Sequence, residues 1–235
     1  MPAPQLIRLQ PTGPNGDLDR WDDIPAAEIE TGQPVQRGHY YVKDSALGFG
    51  AGVWDCTAFN SKKQSYNFHE FMLILEGSVT VVEEDRLETT VRAGESFIVP
   101  KGVVHRWLQP EYIRKYFVTF DGRGTPFRAT DRVVKLDPQH VRDCFVDATG
   151  RWTAGIRDVA GQDRRSASSA HYELIHVLDG AVTVTAGQER PETFQAGDSF
   201  LAQPDGILNR GRESRLRLLY CALSVESDGG TAQGR

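Results

Sequence analysis

The chain has 235 residues, 39% hydrophobic and 25% charged, with a formal net charge of -5. That balance belongs to an ordinary globular protein able to bury a real core, and it leaves no basic footprint for a nucleic-acid partner. No apolar run approaches the roughly 18 residues of a membrane span, the N-terminus Met1-Pro2-Ala3-Pro4 lacks the basic and apolar regions of a signal peptide, and Cys56, Cys144 and Cys221 read as buried thiols of a protein in a reducing cytoplasm.

Residues before about Gln36 are rich in Pro, Gly and Asp and read as an arm. Its Leu6, Ile7, Leu9 and Trp21 must be buried somewhere, on this chain or on a partner. Next come Ala51-Gly52-Val53-Trp54-Asp55, the apolar run 71–75, the β-branched run 79–82 and the apolar run 97–99, with Gly77 at a strand-to-strand turn. The segment 122–138 reads as a linker, and Asp137-Pro138-Gln139-His140-Val141 as the start of a short helical turn. Beyond it the first pattern recurs at an offset of 103 residues. Ala154-Gly155-Ile156-Arg157-Asp158 repeats the 51–55 block, Glu173 answers Glu70, Gly180-Ala181-Val182-Thr183-Val184 answers 77–81, and Ala196-Gly197-Asp198-Ser199-Phe200 answers 93–97. Four blocks in register imply a duplicated unit. Short apolar runs punctuated by glycine and polar clusters make each copy an expected barrel or sandwich of short antiparallel strands. The polar, Gly-rich tail 227–235 reads as disordered.

The residues resemble the cupin superfamily. Glu70 to Gly77 and Glu173 to Gly180 match the end of its first motif, and Gly94 through Pro100, Gly102 and His105 match its second without a gap. The second copy keeps Gly197, Pro204 and Gly206 but carries Asn209 in place of the histidine. Gly52-Val53-Trp54, Trp107 and Arg114-Lys115-Tyr116 are similar to the subfamily of (S)-ureidoglycine aminohydrolase and the ethanolamine-utilisation protein Q. The resemblance implies an all-β protein of two tandem cupin (RmlC-like jelly-roll) barrels. The expected division is 1–125 for the arm and first barrel, 126–226 for the second barrel and 227–235 for the tail. It also implies a homodimer, the commonest closed assembly.

A cupin of the usual kind holds a divalent metal, here Mn, Fe, Ni or Zn, with a His-x-His pair ahead of the Glu. That pair is missing: the first copy offers Lys63 and Ser65, or Gln64 and Tyr66, and the second only serine or alanine. What remains for a metal is Glu70 with His105, and in the second copy His171, Glu173 and Asn209. His69, adjacent to Glu70, belongs on the opposite face of its strand and to a surface or interface. Trp54, Tyr66, Trp107 and Lys115 are the candidate lining of a small-molecule pocket. A buried glutamate needs a partner, and a Glu70–Lys115 pair is the alternative to a metal. Two functions therefore stand level: a metal-dependent enzyme acting on a small polar or nitrogen-containing metabolite, and a non-catalytic small-molecule-binding cupin with a degenerate metal site; a cupin serving only for dimerisation ranks behind both. Arg157 at the place of Trp54 makes the two pockets unequal.

Overall fold

The computed structural model describes residues 6–122, 128, 131–159, 167–169, 171–186, 190–204, 206–210 and 216–225. The expected tail 227–235 lies outside them. The described residues form four antiparallel sheets with one 3-10 turn, Ala26–Glu28, and none of their helices is long and apolar enough to cross a membrane.

The first barrel faces a large sheet against a small one. The large sheet runs Val134–Leu136, Ser96–Val99, His69–Glu76, Ile113–Phe120, Phe49–Cys56, Gln36–Asp44 and Asp19–Arg20. The small one runs Glu88–Arg92, Ser78–Glu83, Val104–Gln109, Phe59–Ser61 and Ile29–Gly32. The second barrel repeats the plan. Its large sheet is Leu6–Arg8, Ser199–Ala202, His171–Asp179, Leu216–Ser224, Trp152–Val159 and Arg142–Val146, opposite Ala167–Ser169, Gly206–Arg210, Ala181–Ala186 and Glu192–Gln195.

The two large sheets share a core, which explains the unbroken apolar runs. In His69–Glu76, Phe71 and Leu73 join a cluster with Trp152, Leu174, Leu201 and Leu223 of the second barrel. Met72 and Ile74, on the other face, join Val79, Phe97 and Trp107 inside the first barrel. A strand buried on both faces loses the alternation that a half-buried strand shows. Ser78–Glu83, in the small sheet, keeps it, with every second residue buried.

The barrels also exchange edge strands. Leu6–Arg8, from the arm, pairs with Ser199–Ala202 of the second barrel, Leu6 opposite Ala202. Val134–Leu136, from the linker, pairs back onto Ser96–Val99 of the first. The arm's Leu9 and Leu18 are buried within this one chain. Residues 137–140 form a turn closed by the His140 N–H on the Asp137 carbonyl at 3.0 Å, not the start of a helix. Two thiols are buried, but Cys144 is partly exposed because Arg142–Val146 is an edge strand.

Gly77 turns His69–Glu76 into Ser78–Glu83 with φ of 78°. A Cβ there would stand 2.1 Å from the Tyr112 carbonyl oxygen. Gly94 has a similar φ, 84°, with nothing within 4 Å. Gly94→Ala should therefore cost about 1 kcal/mol for backbone strain alone. Gly77→Ala should cost roughly 2–3 kcal/mol, because the strand Ile113–Phe120 must also move. Urea unfolding of both variants checks the order; equal losses would remove the role given to the Tyr112 contact.

Candidate functional site

The same strand parity that builds the core builds the pocket. Glu70 shares its face with Met72 and Ile74, and so points into the first barrel, 5% exposed. Lys115 lies opposite Trp54 in the neighbouring strand pair, just past an irregularity between Arg114 and Lys115. It is also 5% exposed. Its Nζ donates to Glu70 Oε1 at 2.9 Å and reaches Met72 Sδ at 3.0 Å. The ammonium also lies 4.7 Å from the Trp54 ring and 5.0 Å from the Trp107 ring, a geometry in which both π faces attract the charge. The pair that reading the sequence offered as the alternative to a metal is formed.

Tyr66 takes the other carboxylate oxygen. Its position is fixed by its backbone: the Tyr66 N–H donates to the Val103 carbonyl and the Gly102 N–H to the Tyr66 carbonyl, at 3.2 and 2.7 Å. From this turn its hydroxyl donates to Glu70 Oε2 at 2.7 Å. Burial and the adjacent carboxylate push the phenol well above its ordinary pKa, so it stays a donor.

His105 arrives through the turn Pro100-Lys101-Gly102, where Gly102 has φ of 87° and the Val103 N–H returns to the Pro100 carbonyl. The following strand Val104–Gln109 alternates, so His105 and Trp107 face inward and Arg106 outward. The imidazole is 1% exposed and sits edge-on to Tyr66, with centroids 4.8 Å apart. Its Nδ1 lies 3.2 Å from the Val103 carbonyl oxygen. A carbonyl only accepts, so Nδ1 carries the proton. Burial holds the ring's pKa below its ordinary value, which leaves Nε2 a lone pair, and this buried atom has no hydrogen-bond partner among the described residues.

The walls of this pocket, of about 330 Å³, include Trp54, Trp107, Phe59, Phe68 and Phe117. The arm closes one side. Trp21 stacks on Tyr40 with centroids 5.0 Å apart and meets Phe117 edge-on, in a space Gly38 leaves, since a Cβ there would come within 2.4 Å of the indole. Ile24, Pro25 and Glu28 line the same side. Reading the sequence missed these arm residues, along with Gln36, which accepts the Trp54 indole N–H at 2.9 Å. The signal available was Trp21 itself, an aromatic in a polar arm.

The second barrel differs. Glu173 is buried, and its Oε1 meets Arg157 Nη2 at 2.5 Å. The Arg157 guanidinium lies 4.6 Å from the Tyr220 ring centroid. His171, two residues from Glu173, is exposed at the start of its strand. Asn209 lies on Gly206–Arg210 opposite Thr185; its side chain is outside the described residues.

Do these donors fit a divalent metal? Such an ion wants three or four N or O ligands, and no group of three His, Cys, Asp or Glu converges among the described residues. Glu70 already receives Lys115 and Tyr66, and an ion bound to it would sit against an ammonium. His105 is left alone. Among the described residues, the first barrel's donors do not fit a metal.

Residues 46–117 match the family described as the EutQ-like cupin domain. A protein with unknown function of the DUF861 family from Pseudomonas syringae pv. tomato superposes with a TM-score of 0.72 at 18% identity, covering 93% of this chain and 99% of that one. The putative glyoxylate induced protein from Pseudomonas aeruginosa gives 0.60 at 14% identity, covering 99% and 92%. Protein Ylba from Escherichia coli, also of the DUF861 family, gives 0.59 at 12%, covering 96% and 93%. No curated protein matches the sequence. With its tandem antiparallel barrels and inward glutamates, the chain is a two-barrel jelly-roll protein. Residues 46–117, within the first barrel, resemble the EutQ-like cupin domain, and the whole chain shares the fold of the two-barrel structures above.

Proposed function

We propose that the first barrel is a small-molecule binding pocket that works without a metal. The observation that carries this reading is the 2.9 Å Lys115–Glu70 pair between two indole faces. The positive charge that the barrel's glutamate needs is supplied by the chain itself. In the second barrel Glu173 is neutralised the same way but by Arg157, a cation from a different strand position. The first barrel also keeps the features of a ligand site: a concave, mostly aromatic enclosure with a few convergent polar groups. The aromatic surfaces of Trp54, Trp107 and Phe117 give affinity by burial, and His105, Tyr66 and Glu70 give orientation.

Elemental analysis of the full chain, purified without added metal, tests the reading. The expected result is far less than one Mn, Fe, Ni or Zn per chain, with stability unchanged by EDTA. Near-stoichiometric metal that disappears in His105→Ala would overturn it and restore the metal-dependent reading.

A further inference from the structure

We propose that this pocket selects an uncharged or cationic molecule with a flat apolar body and an N–H or O–H donor, and that His105 Nε2 accepts that donor. The inference deepens the binding reading above and rests on it.

The argument begins with the polar atoms still open. A buried acceptor with nothing to accept costs about 1–3 kcal/mol, and His105 Nε2 is such an atom in the lining of the pocket. The indole, Tyr66 and Lys115 donors nearby are already committed. The Trp54 N–H goes to Gln36 and the Trp107 N–H to Gln109 Oε1, both at 2.9 Å. Tyr66 donates to Glu70, and Lys115 is held by Glu70, Met72 and the two indoles. Around His105 and Glu70 the pocket therefore offers acceptors, His105 Nε2 and the second lone pairs of Glu70.

Charge points the same way. Lys115 is spent on Glu70, and Glu28 on the arm side adds a further carboxylate. A carboxylate or phosphate ligand would meet Glu70 without a free cation among the described lining residues to hold it. A donor-bearing ligand instead satisfies Nε2 and, if cationic, is attracted by the aromatic faces. Shape decides the rest: the stacked Trp21–Tyr40 pair and the indoles of Trp54 and Trp107 are flat walls. A volume of about 330 Å³ suits one or two fused rings.

Three probes test this: benzimidazole, 1-methylbenzimidazole and benzoate. Each is titrated into the full chain and followed by quenching of tryptophan fluorescence, to which Trp21, Trp54 and Trp107 contribute from the pocket. Methylation removes the ring's donor and leaves its shape. Benzimidazole should bind at least tenfold more tightly than either competitor. His105→Phe should erase the difference between the two benzimidazoles, and His105→Gln, which keeps an acceptor, should retain part of it. Equal affinity for the methylated pair, preference for benzoate, or no quenching by any probe would overturn the inference. None of these outcomes depends on metal content, which judges the preceding reading separately.

Discussion

Lys115→Met should destabilise the chain by about 3–5 kcal/mol at neutral pH, the cost of leaving one member of a buried ion pair alone. In the wild type Glu70 is 5% exposed and its charge is answered by Lys115 at 2.9 Å, with Tyr66 on the second oxygen. Methionine matches the length of the lysine stem but brings no charge. Tyr66 alone cannot replace the solvation that a buried carboxylate has lost. Adding Glu70→Gln to Lys115→Met should recover most of the loss, since an uncharged pair carries no comparable desolvation penalty. Guanidinium unfolding of the wild type, both single variants and the double variant makes the cycle. A single Lys115→Met variant within about 1 kcal/mol of wild type would show that the pair is not what keeps Glu70 inside.

Acid should weaken folding through His69. This ring stacks on Trp152 with centroids 5.4 Å apart, lies beside Phe145, and is 3% exposed between the barrels. Its Nδ1 accepts the Lys101 N–H at 3.1 Å, which requires that nitrogen to be unprotonated. Burial lowers its pKa from 6.5 to about 4, Asp147 opposing and Lys101 assisting. Above pH 6.5 the ring is neutral in both folded and unfolded chains and adds no pH dependence. Between 6.5 and about 4 only the unfolded chain binds the proton, so stability falls with pH. Below that window both forms are charged and the effect levels off. The full effect is roughly 3 kcal/mol by proton linkage. His69→Phe should lose stability outright at pH 7.5 yet show a flatter profile between pH 6.5 and 4. Parallel profiles for variant and wild type would remove His69 as the source.

The sequence by itself determined a good deal. The four blocks at one offset, with glycines where strands must turn at positive φ, specify short antiparallel strands and two similar units. The parity of Glu70 against His69 specifies opposite faces, because side chains alternate along any strand. The inward glutamate and its need for a partner follow from electrostatics alone, and Lys115 was legible as that partner. Tertiary structure decided what local pattern cannot contain. That the face carrying His69 and Phe71 is a second core depends on one barrel docking on the other; an isolated strand cannot show which of its two faces meets water. The arm's place, with Leu6–Arg8 on the far barrel and Trp21 on the near pocket, rests on contacts between residues far apart in the chain. Tyr66 reaches Glu70 from a turn rather than by strand parity. His171, two residues from Glu173, is exposed where its strand begins, while Glu173 is buried. Periodicity records the direction in which a side chain leaves its strand; what it meets there is fixed only when distant segments pack.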